Sequence, residues 1–460
     1  MKIEYQPVSL LIVLAILILL RAILQSILLN LRPQPGTQEH KPKTPRPLKP
    51  KTEDDCPFCR ADKVSPLEKP EIRLSLRPWS EVRNRRGGKK TIYTQGHACN
   101  NPKCIYYRIK DERIHALVGY GSHGKHEKVQ DLMCQACGKK FTVRRDTVLY
   151  RLKTHSEKVV QALALMAEGV DVSTLERVMG IGEGTLRTPQ ERAYRRTWLT
   201  RAGMHAEKLH GVFFQELVFR HIQLDELWAN VRHKAQEVWL WVAMEATTKV
   251  IPVMKLGPRT LEMAMGVIHE LGQRMPSGWA PIFTSDGLKL YFYALTAHFG
   301  HWALEEGMGK PMWEIAAGFL YAQVKKIHRR RKLVKVEHLM LCGEREKLTT
   351  GLKALGLSGK INTAFVERLN LTIRQGVAFL ARRTWGAAQI TSELELHVQW
   401  WWGYYHFARY HESLRVQFSQ PIQGKGKQPS CRFRSRTPAM AARLTSHRWT
   451  VLELISDPLP

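Results

Sequence analysis

Residues 221–231 read HIQLDELWANV, and residues 238–246 follow as VWLWVAMEA. Both are short apolar runs rich in β-branched and aromatic residues, separated by a charged turn, and they predict two successive strands. Val250 to Leu256 predicts a third strand and Arg259 to Met275 a helix. Pro281 to Ser285 (PIFTS) predicts a fourth strand that ends at Asp286-Gly287. Three hairpin-linked strands, a helix and another strand predict an α/β fold with a mixed sheet flanked by helices. Asp225 lies inside the first strand. Asp286 lies at the C-terminal end of the fourth, where the crevice of an α/β sheet opens. Glu226 is expected to point to the opposite face and to be structural, because strand side chains alternate.

A third acid is expected from a later helix that packs across the sheet, and Glu367 in INTAFVERLNLTIRQ is the candidate. Asn370 and Arg374 follow at i+3 and i+7, so all three share a helical face. Arg374 is expected to steady a scissile phosphate or the acid itself. Glu305, Glu306, Glu314 and Glu337 are rivals that lack such neighbours. The chemistry explains the gathering: phosphodiester transfer needs charge stabilisation on the attacking and leaving oxygens, which two Mg²⁺ (or Mn²⁺) ions about 3.5–4 Å apart supply. Hard cations of this kind require carboxylates. The arrangement is RNase H-like, and residues 213–415 form this catalytic domain.

Upstream, Cys99-x4-Cys104 and Cys134-x2-Cys137 (CQACGKKF) have the shape of a zinc ribbon, two knuckles closing one structural Zn²⁺ site. Cys56-x2-Cys59 (CPFC) is a third knuckle. His97, His115, His123 or His126 can complete a second site with it, or Cys56 and Cys59 can replace one of the other pairs. Residues 56–150 are therefore a zinc-binding region, studded with Lys and Arg. Residues 151–212 predict a helix-turn-helix. Val159, Val160, Leu163 and Met166 mark one helix ended by Gly169, and Ser173-x-x-Glu176 is a capping box for a second. Thr188-Pro189-x-Glu191 predicts the start of a basic helix carrying Arg192, Arg195, Arg196 and Arg201, suited to a major groove.

The chain has 71 Lys and Arg against 41 Asp and Glu in 460 residues, a net charge of +30. That surplus points to a polyanion, with nucleic acid first, and serves no purpose in an enzyme of small neutral substrates. The densest basic run is Lys325, Lys326, His328, Arg329, Arg330, Arg331 and Lys332, expected to contact DNA. Residues 1–31 include the apolar run Val8 to Leu31, interrupted by Arg21, which predicts an uncleaved transmembrane helix; an interfacial or partner-binding helix and an incidental extension are the other readings. Residues 32–55 are a basic, Pro-rich linker, and the positive-inside rule then assigns the rest of the chain to the cytoplasmic side. Without the anchor, a cytoplasmic or nucleoid location is expected. The aromatics of Trp400 to Tyr405 are expected to be core, and residues 416–460 a basic, extended C-terminal arm.

LDELW around Asp225, TSDGLKLY around Asp286 and FVERLNLTIRQ around Glu367 resemble the three motifs of DDE transposases of the IS1 type and its relatives. WWWGYYHFARYHESLR (400–415) is similar to the helix after the catalytic glutamate in many insertion-sequence transposases, and the resemblance covers about residues 95–415. It implies that Asp225, Asp286 and Glu367 bind the metals, that Asn370 and Arg374 assist, and that the partners are double-stranded DNA, as transposon ends and target, and further copies of the chain. The implied activity is DNA cleavage and strand transfer. Two other readings remain: a membrane-tethered DNA-binding regulator with an inactive core, and a nuclease of the same fold without strand transfer.

Overall fold

The computed structural model describes residues 48–64, 96–110, 116–187, 197–304, 310–422 and 431–459, apart from 126, 230, 233–236, 331, 383–387 and 389. The apolar segment of residues 8–31 and most of the basic linker lie outside the described residues. Among those described, no helix is long and apolar enough to cross a membrane.

After a 3₁₀ turn at Glu53–Asp55 comes α1 (Pro57–Val64), followed by β1 (Leu117–His123), β2 (Val129–Cys134) and β3 (Lys140–Thr142). Next are α2 (Ser156–Ala167), α3 (Val172–Met179), α4 (Glu183–Leu186) and α5 (Trp198–Phe213). The central region holds β4 (His221–Ala229), β5 (Val238–Glu245), β6 (Val253–Gly257), α6 (Leu261–Gln273), β7 (Ile282–Asp286) and α7 (Lys289–His298). It continues with β8 (Gly300–Ala303), β9 (Met312–Ile315), β10 (Tyr321–Arg329), β11 (Lys332–Cys342), α8 (Arg345–Ala354), α9 (Ala364–Gly376) and α10 (Thr391–Phe407). The chain closes with β12 (Val416–Ile422), β13 (Cys431–Arg434), α11 (Pro438–Ala441) and α12 (Val451–Ser456).

The main sheet has six strands in the order β11-β10-β7-β4-β5-β6. β4, β5 and β6 are antiparallel neighbours, whereas β7 runs parallel to both β4 and β10. It is the mixed sheet that the apolar runs predict. The third strand begins at Val253 rather than Val250, because Glu245, Thr247 and Thr248 form a hydrogen-bonded turn after β5. Both faces of the central strands are covered: Ile222, Gln223 and Leu224 on β4, and Leu240, Trp241 and Val242 on β5, are fully or almost fully buried.

The upstream helices share a core of their own, built on Val159, Leu163, Met166, Leu175, Trp198 and Leu209. α10 ties it to the sheet. Trp400, Trp401 and Trp402 are all buried, with Trp400 Nε1 donating to the Leu163 carbonyl and Trp402 Nε1 to that of Ile251. The aromatic run is therefore packing, as its pattern predicts. α5 crosses α10 closely because Gly203 lies against the Leu396 carbonyl, where a Cβ would come within 2.5 Å of the oxygen.

Three expectations need correction. α3 starts at Val172, and its cap is Asp171, whose Oδ1 accepts from Thr174 N at 2.8 Å; Ser173 instead donates to Asp171. The helix bearing Arg201 begins at Trp198 with Thr197 as cap, while Arg192, Arg195 and Arg196 lie outside the described residues. Arg201 itself donates to the Tyr150 carbonyl at 2.5 Å, within the fold. Finally, the C-terminal region is no extended arm. β12 and β13 pair, and Ala439, Leu454, Ile455 and Leu459 are buried in the upstream helical core. Trp449 stacks on Phe407 at 4.8 Å between centroids, which explains how a basic, Pro-punctuated stretch stays folded back.

Candidate metal and acid sites

The parallel register of β4 and β7 pairs Leu224 with Ser285, so Asp225 and Asp286 are the next residues on adjacent strands. Parallel neighbours lie about 4.8 Å apart, and side chains at one level point to one face. The carboxylates of Asp225, Glu226 and Asp286 all come within 4.8 Å of one another. Burial, followed by the charges of Asp286 and Glu226, pushes the Asp225 carboxyl up to about 7. Burial also raises Asp286, although Leu288 N donates to its Oδ1 at 3.2 Å. Each carboxylate thus makes its neighbours harder to ionise, and a divalent cation relieves that repulsion.

α9 is held over the sheet by a residue that the motif reading missed. Gln223, fully buried two positions before Asp225 and therefore on its face, accepts from Phe365 N at 3.1 Å and Val366 N at 3.0 Å. Its Nε2 donates to the Asn362 carbonyl at 2.9 Å. The side chain thus satisfies donors at the start of α9, where a helix has no internal partners for them. A polar residue alternating with Asp225 in an apolar strand was the available signal.

From α9, Asn370 Nδ2 donates to Asp225 Oδ2 at 2.8 Å. Its Oδ1 is buried and has no hydrogen-bond partner among the described residues. Glu367, one turn earlier, lines the same cleft as Asp225 and Asp286, a space of about 700 Å³. Its carboxylate is bound by Lys326 Nζ at 2.6 Å and by Thr363 Oγ1. The helix therefore brings Glu367 to the rim, outside the tight group of three. Arg374 departs from expectation: it donates to the carbonyls of Leu380 at 3.1 Å and Trp228 at 3.2 Å, bracing α9 rather than facing the acids.

Glu226 also needs correction. It does point to the other helical layer, where Arg259 pairs with it and Tyr291 OH donates to it at 3.1 Å. Yet its side chain is only 2% exposed and its carboxylate belongs to the acidic group. Asp286 ends its strand, so the group gathers around the strand end. Glu314 and Glu337 lie on β9 and β11, outside the cleft lining, with Glu337 paired to Lys335; Glu305 and Glu306 are not among the described residues. Lys289, Lys325 and Lys326 supply cations to the cleft wall. The rest of the basic run, His328, Arg329, Arg330 and Lys332, forms the tip of the β10–β11 hairpin, where Arg330 takes the left-handed turn at φ 49°; Arg331 is not described.

In the upstream module, Cys99 and Cys137 bring their sulfurs to 3.6 Å and Cys104 and Cys134 to 3.8 Å, all four within 4.8 Å. A tetrahedral ion with bonds of about 2.3 Å to sulfur requires S···S separations of about 3.8 Å, and a disulfide is far shorter. Gly138 at φ +70° closes the second knuckle, and Leu117, Leu132 and Phe141 pack beneath it. These four can hold a metal ion. Cys56 and Cys59 replace neither pair; they meet His269 and His298 instead. Of the histidines expected beside them, His123 pairs with Asp131, His97 is absent from the group, and His115 and His126 are not described.

No protein-family model and no curated protein matches this chain.

Proposed function

We propose that this chain is an insertion-sequence transposase of the DDE type, which cleaves DNA at element ends and joins the freed 3′-hydroxyl to target DNA. The observation that carries the reading is the pairing of Asp225 and Asp286 on adjacent parallel strands, beneath a helix that brings Glu367 to the same cleft and Asn370 onto Asp225. The strand order supports an RNase H-like core: three antiparallel strands, then two in parallel. Asp225, Asp286 and Glu367 are the ligands for Mg²⁺ or Mn²⁺. The raised Asp225 carboxyl, crowded by Asp286 and Glu226, fits a divalent cation there. Two such ions, when bound, supply charge stabilisation to the attacking and leaving oxygens.

The protein's own groups orient the DNA. Lys289, Lys325 and Lys326 flank the acids on the approach side of the cleft and attract the phosphate backbone. The basic hairpin tip extends that surface, and the Cys99–Cys104–Cys134–Cys137 ribbon, with structural Zn²⁺, and the helix-turn-helix bind element ends. The protein works as a homo-oligomer, since two ends must be joined. It acts on the cytoplasmic side, anchored through residues 8–31.

The test is a cleavage and joining assay on DNA carrying the element's own ends. Asp225→Asn, Asp286→Asn and Glu367→Gln each remove a charge while nearly keeping shape, so DNA binding survives and both reactions are lost. Glu314→Gln, outside the cleft lining, retains activity. Cleavage without joining in the parent would favour a nuclease, and an inert parent would favour a tethered regulator.

A further inference from the structure

Cys56 and Cys59 meet two histidines more than 200 residues away in the chain. Cys56 Sγ lies 3.4 Å from His298 Nε2, and Cys59 Sγ lies 3.4 Å from His269 Nδ1. All four ligand atoms fall within 4.8 Å of one another. Bonds of about 2.3 Å to sulfur and about 2.05 Å to nitrogen in a tetrahedron require S···N separations of about 3.6 Å, close to those found.

The surroundings are arranged for ligation as well. His298 Nδ1 donates to the Ala294 carbonyl at 2.7 Å, which fixes the tautomer that leaves an Nε2 lone pair facing Cys56. His269 presents Nδ1 to Cys59, and its Nε2 lies 3.1 Å from Gln273 Nε2; ligation through Nδ1 leaves Nε2 protonated, so the Gln273 amide then turns its oxygen to accept from it. Partnering the far nitrogen of a histidine is the usual support of a metal ligand. Cys59 N donates to Cys56 Sγ at 3.5 Å, the backbone contact that closes the knuckle, and Cys56 is fully buried.

We propose that Cys56, Cys59, His269 and His298 hold a second structural zinc ion, which fastens the segment preceding the ribbon onto the outer helices of the acid-bearing domain. The fit of that segment agrees. Lys51 N donates to Thr296 Oγ1 at 3.1 Å, and Phe58 lies against Gly266 and the His269 ring. All four positions are filled by protein, so the site is closed to substrate. It sits near the C-terminal ends of α6 and α7; Arg259, just before α6, and Lys289, at the start of α7, line the cleft. About ten residues at about 1.5 Å each put it roughly 15 Å from the acids. Zinc at this site is independent of the activity proposed above; its role is to pin α6 to α7 and to the incoming chain.

The test uses the full chain. Metal analysis is expected to find two zinc ions per chain, and X-ray absorption an average of three sulfurs and one nitrogen per zinc. Cys56→Ser with Cys59→Ser is expected to leave one zinc in an all-sulfur shell, whereas Cys59→His keeps both. Cys134→Ser with Cys137→Ser should remove the other ion and leave the two-sulfur, two-nitrogen shell. One zinc bound only by sulfur in the parent, or two zincs retained in the Cys56/Cys59 double variant, would overturn the site. One zinc in the parent with equal sulfur and nitrogen would uphold it and remove the ribbon's ion instead. The absorption measurement on the parent decides the matter even if a variant does not fold.

Discussion

Asn370 Nδ2 donates across 2.8 Å to Asp225 Oδ2, and this bond joins α9 to the middle of the sheet at the acid that burial perturbs most clearly. The contact fixes the orientation of one carboxylate and leaves the amide oxygen buried with no hydrogen-bond partner among the described residues. Asn370→Ala is therefore expected to lower strand cleavage and joining by about 10–100-fold, with a rise in the Mg²⁺ concentration needed for half-maximal rate. Asn370→Asp adds a fourth negative charge to the group and should be worse at low Mg²⁺. An unchanged Mg²⁺ requirement in Asn370→Ala would separate this residue from the metal site.

Lys326 and Glu367 hold each other at the rim, each side chain 40% exposed. A pair so open to water adds little stability, up to about 1 kcal/mol. Lys326→Ala should therefore melt close to the parent, yet weaken DNA binding and reduce the slope of log affinity against log salt by about one. Freed from the lysine, Glu367 should also reach half-maximal metal response at lower Mg²⁺. A filter-binding salt series checks the first effect, and an unchanged slope would take Lys326 out of the DNA contact.

The acids were legible because each polar residue interrupts an apolar run, and a period of two puts Asp225 on a definite face. Strand register then brings Asp286 level with it, something no local pattern specifies. Glu226 misled for the same reason: alternation correctly assigns its face, but Asp286 stands at a strand end where both faces meet. Arg374 shared the helical face of Glu367 in sequence, yet seven residues on it has passed the cleft and meets the Trp228 and Leu380 carbonyls. The partners of Cys56 and Cys59 were beyond reach, since His269 and His298 sit on two helices of a separate region and neither has ligand spacing to the other. The C-terminal fold was hidden because Ala439, Leu454, Ile455 and Leu459 are few and scattered among basic residues, and become a core only against α2 and α10.

Gln223 caps α9 from the sheet, so its loss should act on position as well as stability. Gln223→Leu keeps volume but leaves the Phe365 and Val366 N–H groups without their acceptor. The expected cost is on the order of 3 kcal/mol in urea unfolding, the penalty of unsatisfied buried donors. Under conditions where the variant stays folded, joining should still fall, because α9 carries Glu367 and Asn370. A variant as stable and as active as the parent would exclude this role.

Glu127 links the ribbon to the helices, accepting from Ser156 N at 2.9 Å and pairing with Arg144 at 2.6 Å, with its side chain 26% exposed. Burial acts to raise its carboxyl, but the bonds from Arg144 and Ser156 outweigh that and bring it to about 2. An unfolded glutamate titrates near 4.3. The folded state therefore binds fewer protons between these values, so the stabilisation is fully present above about pH 5 and is lost as pH falls toward about 2. Its size is on the order of 2 kcal/mol at neutral pH. Glu127→Gln should thus lower the denaturant midpoint at pH 7 and lower it progressively less on acidification, the two curves converging near pH 2. Equal loss at pH 7 and pH 3 would mean that the side chain acts through packing alone and that its charge does not hold the ribbon to α2.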